Sequence, residues 1–279
     1  MNEKTSKTIA ITTFLGTILS GLLLVFPEAS QAAPPIPISS CTTINAPGDY
    51  KLVADLTGAG DCIRINASQV DLKLDGHTIT GPGTGSNASG ILIIGQTKVD
   101  IKGPGVVTNF TFGVNLDGIA FSEVTNVTST GNRFGFVVNN SEANWFRGNT
   151  STGNEQHGFT LNRSSNNNFL NNVASNNANT GFLLFEGTAN QVKANTTNGN
   201  GSDGIRVGGG VSTGHTIKDN TANGNGFGIR LLPGATDNTV KSNTAQSNVI
   251  FDLVDDNSGC DNNIWRDNIF NVANQTCIQ

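Results

Sequence analysis

A glycine that returns every 22 to 24 residues fixes most of what this chain can become. Gly90, Gly113, Gly135, Gly158, Gly181, Gly204 and Gly228 each lead two apolar residues with one residue between them. The pairs are Ile91 and Ile93, Val114 and Leu116, Phe136 and Val138, Phe159 and Leu161, Phe182 and Leu184, Ile205 and Val207, Ile229 and Leu231. This is the period-2 pattern of a strand with one buried face. A unit this short cannot bury that face alone, but a stack of such units can.

Asparagine fills the return path. One column reads Asn126, Asn149, Asn172, Asn195, Asn220, Asn243 and Asn268. A second, five residues earlier, reads Asn144, Asn167, Asn190, His215, Asn238 and Asn263, with His215 standing in for an asparagine. A third, five residues later, reads Asn154, Asn177, Asn200, Asn225 and Asn248. Asn tolerates the left-handed backbone of a tight bend, and amides stacked one above another can bond along the stack. An apolar residue lies between the first two columns in each repeat: Phe146, Phe169, Val192, Ile217, Val240 and Trp265. Leucine-rich repeats share this period, but their pattern is absent and Asn, Thr, Ser and Gly return segments form helices poorly. The expectation is one elongated all-β domain, a parallel β-helix. At a rise of about 4.8 Å per coil, eight or nine coils make a rod about 40 Å long.

The motif G-[IF]-x-[LV] followed by N-x-[VIF]-x-x-N resembles the repeat of NosD-like proteins, within the pectate-lyase-like superfamily. Leu74-Asp75-Gly76-His77-Thr78-Ile79 is similar to the stretch that opens many of them. The resemblance covers most of the chain beyond the leader. It implies a right-handed coil and raises copper as a candidate ligand. It does not specify a chemistry.

The front of the chain reads as an export signal over residues 1–32. Lys4 and Lys7 precede an apolar run to about Phe26, and Ser30-Gln31-Ala32 offers small residues for cleavage. Residues 33–40 then read as an extended lead-in, 41–89 as a cap and first coil, 90–250 as regular coils, and 251–279 as a last coil and cap. Gly81 to Ser89 reads as a flexible loop able to project from the rod. Four cysteines form a front pair, Cys41 and Cys62, and a back pair, Cys260 and Cys277. In an exported chain each pair can close locally, bracing the two open ends of the solenoid. The formal charge is −5, so nucleic acid is not an expected partner, and no segment after the leader could span a membrane. Oligomeric state is not legible.

Inward residues of such a stack make a dry core, so function belongs to outward positions. Coil by coil these are Leu92 and Ile94, Asn115 and Asp117, Val137 and Asn139, Thr160 and Asn162, Leu183 and Phe185, Arg206 and Gly208, Arg230 and Leu232. Arg163 and Glu186 follow two of these pairs. The candidate binding strip is therefore Asp117, Asn139, Asn162, Arg163, Phe185, Glu186, Arg206 and Arg230. Amides and charges can bond sugar hydroxyls or carboxylates, and an aromatic ring can stack on a sugar. Arg206 and Arg230, about 5 Å apart by coil spacing, could clamp a uronic carboxylate. The alternative is an ordinary solvated strand face, on which Arg206→Ala would leave stability unchanged. His157 and Asp203 share a column with Phe112, Phe134 and Phe227 and read as half-buried packing residues, too far apart for a direct bond.

No metal ligand set stands out. Three scattered His and a single Met at position 1 do not make the cluster that copper selects. Calcium stays open at Asn198 to Asp203, which resembles one turn of a calcium-binding β-roll, and at the cluster Asp252, Asp255, Asp256 and Asp261. Enzymes on this fold place acid, base and charge on adjacent coils. Neither the polygalacturonase set nor the D-P-H-D of mannuronan epimerases is present, and no catalytic residue is assigned. Asp117 and Arg206 lie about 19 Å apart, four coils, so they do not form a lyase site. The sequence thus points first to a secreted module of the cell surface or matrix that binds polysaccharide or cell-wall glycan. A polysaccharide lyase, epimerase or hydrolase with a divergent site is the second reading, and a structural or adhesion role is the third.

Overall fold

A computed structural model of the protein describes residues 33–279. The expected leader, residues 1–32, lies outside the described residues. Those described form strands and turns with no α-helix, apart from one short 3-10 turn at Ser258–Cys260. No helix among them is long and apolar enough to cross a membrane. All pairings between strands are parallel, as a β-helix requires.

A ten-stranded sheet holds the glycine-led segments, one strand per turn. It runs from Thr42–Ile44 through Ile63–Ile65 and Ser89–Ile94 to Phe251–Asp255. Ten turns are stacked, not eight or nine. The extra turns come at the front, where Thr42–Ile44 and Ile63–Ile65 alternate without a leading glycine and so carry no repeat signal. The Gly81 to Ser89 segment does not project. Thr84 Oγ1 donates to Glu155 Oε1 at 2.8 Å, so the loop lies along the stack.

The leading glycine has a steric cause. A Cβ at Gly181 would sit 2.6 Å from the carbonyl oxygen of Gly204, and one at Gly204 would sit 2.6 Å from that of Gly228. The space is taken by the next coil's backbone. At Gly204 the hypothetical Cβ also meets Asn225 Nδ2 and Thr197 Oγ1, both core groups, so this position faces inward. The next residue, Ile205, is fully buried in the core as well. Two consecutive inward positions break strict alternation at each leading glycine.

A fourteen-stranded sheet carries the return segments, with Phe146, Phe169, Val192, Ile217, Val240 and Trp265 in inward register. Like residues stack on like. Phe136, Phe159 and Phe182 lie 4.6 and 4.5 Å apart by ring centroids, and Phe146 stacks on Phe169 at 4.5 Å. Phe169 meets Phe159 and Phe182 edge-on, joining the two sheets. Face and edge contacts both suit the ring quadrupole.

The three asparagine columns are buried ladders. Asn195 shows the pattern. Its Oδ1 accepts from Asn172 N at 2.8 Å and Asn172 Nδ2 at 2.9 Å, while its Nδ2 donates to Phe169 O at 3.0 Å and Asn220 Oδ1 at 3.1 Å. Each amide satisfies backbone groups that a bend in the core would leave orphaned. Asn126 is the exception. Val127 N donates to Asn149 Oδ1, so Val127 holds the ladder position and Asn126 is exposed at the corner with φ 54°. That coil is 22 residues long, which moves the column by one. Asn195→Ala should cost about 2–4 kcal/mol, since several buried partners lose their bonds at once. Equilibrium urea unfolding beside wild type checks this, and a loss under 0.5 kcal/mol would refute the ladder's structural role.

The ends are closed as the cysteine pairs suggest. Cys41 bonds Cys62 and Cys260 bonds Cys277. At the back, Asp252 takes the place of the leading glycine, and its Oδ1 accepts from Asn248 N and Nδ2, ending the third ladder. Asp255 ends the second, accepting from Asn263 Nδ2 and Trp265 Nε1.

Candidate functional site

The outward face of the ten-stranded sheet carries the expected strip in two columns, with a third beside them that the sequence reading took for packing residues. One aligns Asp117, Asn139, Asn162 and Phe185 on successive coils. The next aligns Asn115, Val137, Thr160, Leu183, Arg206 and Arg230. The third contains Phe112, Phe134, His157, Thr180, Asp203 and Phe227. It is outward because the residue before each leading glycine lies opposite an inward one.

Not every expected residue is free. Arg206 and Arg230 are neighbours in register, but each already faces a carboxylate. Arg230 Nη2 lies 2.8 Å from Asp256 and its guanidinium stacks over Phe227 at 4.6 Å. Arg206 Nη1 lies 3.4 Å from Asp203, which is fully buried. Arg206→Ala would therefore strand a buried carboxylate, so its stability effect is not that of a solvated arginine. Asp117 accepts from Asn140 Nδ2 at 2.8 Å. Arg163 and Glu186 sit at the corner beyond the strip, both with positive φ, and pair with each other at 2.7 Å. They flank a shallow depression of about 520 Å³ that also includes Gly210 and Val211. Phe185 is 40% exposed and its ring covers Gly209, where a Cβ could not fit.

Unpartnered polar atoms mark the centre. Among the described residues, seven buried side-chain atoms have no hydrogen-bond partner, and five of them belong to this face. They are Asn115 Oδ1, Thr160 Oγ1, Asn162 Oδ1, Asp203 Oδ1 and Arg206 Nε. Native proteins rarely leave such atoms unpaired without a reason.

A bonded chain crosses this centre that sequence reasoning did not assemble. Thr180 N donates to His157 Nδ1 at 3.3 Å, and Thr180 Oγ1 donates to Asp203 Oδ2 at 3.4 Å. Ser202 Oγ donates to the same carboxylate oxygen at 2.7 Å. Thr180 thus bridges the two coils that separate His157 from Asp203. Burial pulls the His157 imidazole down to about 4, and the Arg206 charge adds to that pull. The ring is neutral at pH 7 and holds its proton on Nε2, since Nδ1 accepts. The signal was present in the column His157, Thr180, Asp203. It is hidden when His157 and Asp203, in a column shared with three phenylalanines, are read as half-buried packing residues.

Copper does not fit the described residues. His77 Nδ1 contacts Asp55, His157 Nδ1 accepts from Thr180, and His215 Nδ1 accepts from Asn190 N. All four cysteines are in disulfides, and no group of three or more His, Cys, Asp or Glu among the described residues could hold a metal ion. In the acidic cluster, Asp252 Oδ2 accepts from Asn271 N and Val272 N, and Asp256 pairs with Arg230. Those carboxylates serve protein donors.

Several solved structures share the fold at low identity. The periplasmic alginate epimerase AlgG is 14% identical with a TM-score of 0.58, over 81% of this chain and 72% of that one. The A-module of Azotobacter vinelandii mannuronan C-5 epimerase AlgE6 is 17% identical with a TM-score of 0.51, over 75% and 71%. The Dettilon tailspike protein is 16% identical with a TM-score of 0.58, over 84% and 60%. No curated protein matches the sequence. The family model described as periplasmic copper-binding protein (NosD) matches residues 42–278, and the chain belongs to the NosD family.

Proposed function

We propose that this NosD-family chain is an exported periplasmic or extracellular protein that binds a glycan across the outward strip of its ten-stranded sheet. The row of unpartnered buried atoms, on three coils spanning about 19 Å of the strip, carries the reading. Three of them, on Asn115, Asn162 and Asp203, accept; Arg206 Nε donates; Thr160 Oγ1 does both. A hydroxyl also does both, so a polyhydroxy ligand answers this mixture where a purely anionic or cationic one does not. Exposed Phe185 at the strip's edge adds a face for a sugar ring. Two of the structural neighbours are epimerases of alginate or mannuronan, which agrees with a polysaccharide ligand.

A second reading, a polysaccharide-processing enzyme, is favoured by the convergence of neutral His157, Asp203 and Arg206. Titratable groups gathered in one place are what acid–base chemistry needs. A glycan-array screen of the mature protein, with product formation recorded alongside, tests both. The expected result is binding that Thr160→Val weakens about tenfold with an unchanged melting temperature, as for loss of a hydrogen bond. Equal binding by Thr160→Val would remove the strip as the site. Product formation abolished by His157→Gln would move the protein to the enzymes.

A further inference from the structure

The outward face of the fourteen-stranded sheet carries a column of cations. Of the 16 Lys and Arg in the chain, Lys4 and Lys7 precede residue 33, and eight of the other fourteen stand in this one column. In the front half these are Lys51, Lys73, Lys102 and Arg147, with Thr125 between the last two. In the rear half they are Lys193, Lys218, Lys241 and Arg266 on four successive coils, separated from Arg147 by Leu170. A chain of net charge −5 has thus placed half of its Lys and Arg along one line parallel to its axis.

Flanking carboxylates occupy most of the front cations. Next to the front half stand Asp49, Asp71, Asp100 and Glu123. Lys102 pairs with Asp71 and with Asp100, Arg147 pairs with Glu123, and Lys51 pairs with Asp75. Next to the rear half the same column turns neutral: Gln191, Thr216, Thr239 and Ile264. There only Lys218 has a carboxylate partner, Asp219 at 3.5 Å, and Lys193, Lys241 and Arg266 have none among the described residues. Where the acids stop, the neighbouring column presents Trp145, 40% exposed, with the Arg147 guanidinium 4.2 Å from its ring. Trp145, Asn168, Leu170, Gln191 and Lys193 enclose a depression of about 230 Å³ that opens onto the cation row.

We infer that this rear face is a second binding surface, and that its partner is an extended polysaccharide with carboxylates along its length. The sugar chain lies parallel to the rod. One ring stacks on Trp145, and successive carboxylates meet Lys193, Lys218, Lys241 and Arg266. Cations in single file, one per coil at about 4.8 Å, match a linear polymer charged at the spacing of its sugars. A DNA duplex carries one charge per ~1.7 Å and spreads it round a cylinder, and a bilayer is a plane; a single row fits neither. The inference goes beyond the strip proposed above, because it uses the other sheet and other residues.

The test is affinity electrophoresis of the mature protein through polygalacturonate and alginate, with neutral dextran and linear polyphosphate as comparison polymers. Wild type should be retarded by both polyuronates and not by dextran, and less so as salt rises, since exposed charges are screened. Replacing Lys193, Lys218, Lys241 and Arg266 together with Gln should weaken polyuronate binding at least tenfold. Trp145→Ala alone should weaken it several-fold, and Lys51→Gln with Lys73→Gln should leave it unchanged. Retardation of the fourfold variant equal to wild type, or no retardation of wild type, overturns the inference. Polyphosphate bound as tightly as polyuronate, with no effect of Trp145→Ala on either, overturns the sugar assignment. Thr160→Val separates the two surfaces: it alters the ten-stranded strip and should leave this polyuronate retardation intact.

Discussion

Leu184→Asp should abolish the folded state or lower its melting temperature by ten degrees or more. Leu184 is fully buried and lies in register between Leu161 and Val207. Its neighbours along the stack are hydrocarbon, so a carboxylate there has no donor and must ionise at great cost or stay protonated and unpaired. Either outcome exceeds about 4 kcal/mol, at the severe end for single substitutions. The architecture adds to this. In a solenoid each coil is held by its two neighbours, so a defect in a middle coil weakens both interfaces and tends to divide the stack. Leu184→Met, close in volume, should cost under about 1.5 kcal/mol. Thermal melts of both variants by circular dichroism check the pair. A Leu184→Asp melt matching wild type would show that the inward register of the glycine-led strands is wrong.

The inward register was readable because each leading glycine stands where only a missing side chain fits. Gly181 and Gly204 recur since the next coil's carbonyl fills the space of a Cβ, and the apolar residues after them inherit the alternation. What the repeat hid follows from its own irregularities. The 22-residue coil moved the first asparagine column from Asn126 to Val127. The front turns were undercounted because Ile63 and Ile65 enter the core without a glycine to announce them.

The outward faces were harder to read because alternation says which side a residue is on and not what it touches there. Arg206 and Arg230 were correctly placed as neighbours, yet Asp203, which occupies Arg206, comes from a position that a strict period of two assigns to the other face, and Asp256, which occupies Arg230, comes from the last coil, where no leading glycine marks the register. The cation row was in the sequence in plain form, as the residue after each inward apolar one: Val192-Lys193, Ile217-Lys218, Val240-Lys241 and Trp265-Arg266. It escapes notice when the glycine-led strand is treated as the only face on which function can lie.

Acidification should destabilise the fold well above the carboxylate range, and two histidines should account for it. His215 replaces an asparagine in the second ladder. Its Nδ1 accepts from Asn190 N at 3.1 Å, its backbone N–H donates to Asn238 Oδ1 at 2.9 Å, and its Nε2 is buried without a partner. Burial pulls the ring down to about 4. His157 is likewise held at about 4 by burial and by Arg206. Both folded-state values lie below the ordinary 6.5. The unfolded chain therefore takes up protons first as pH falls through 6.5. Stability is full above that pH and declines until the folded rings also protonate near 4. Each shift corresponds to an upper value of about 3 kcal/mol. Asp252, whose carboxyl is held down by bonds from Asn248, Asn271 and Val272 against the opposing effect of its burial, loses its contribution only as pH falls below its ordinary 3.8. That loss lies below the window from 6.5 to 4 in which the two histidines act. His215→Asn restores the ladder residue of the neighbouring coils, so it should keep the stability at pH 7 and remove about half of the decline by pH 4.5. Urea unfolding at the two pH values measures both quantities. A variant that declines as steeply as wild type would show that His215 is not titrating with the fold.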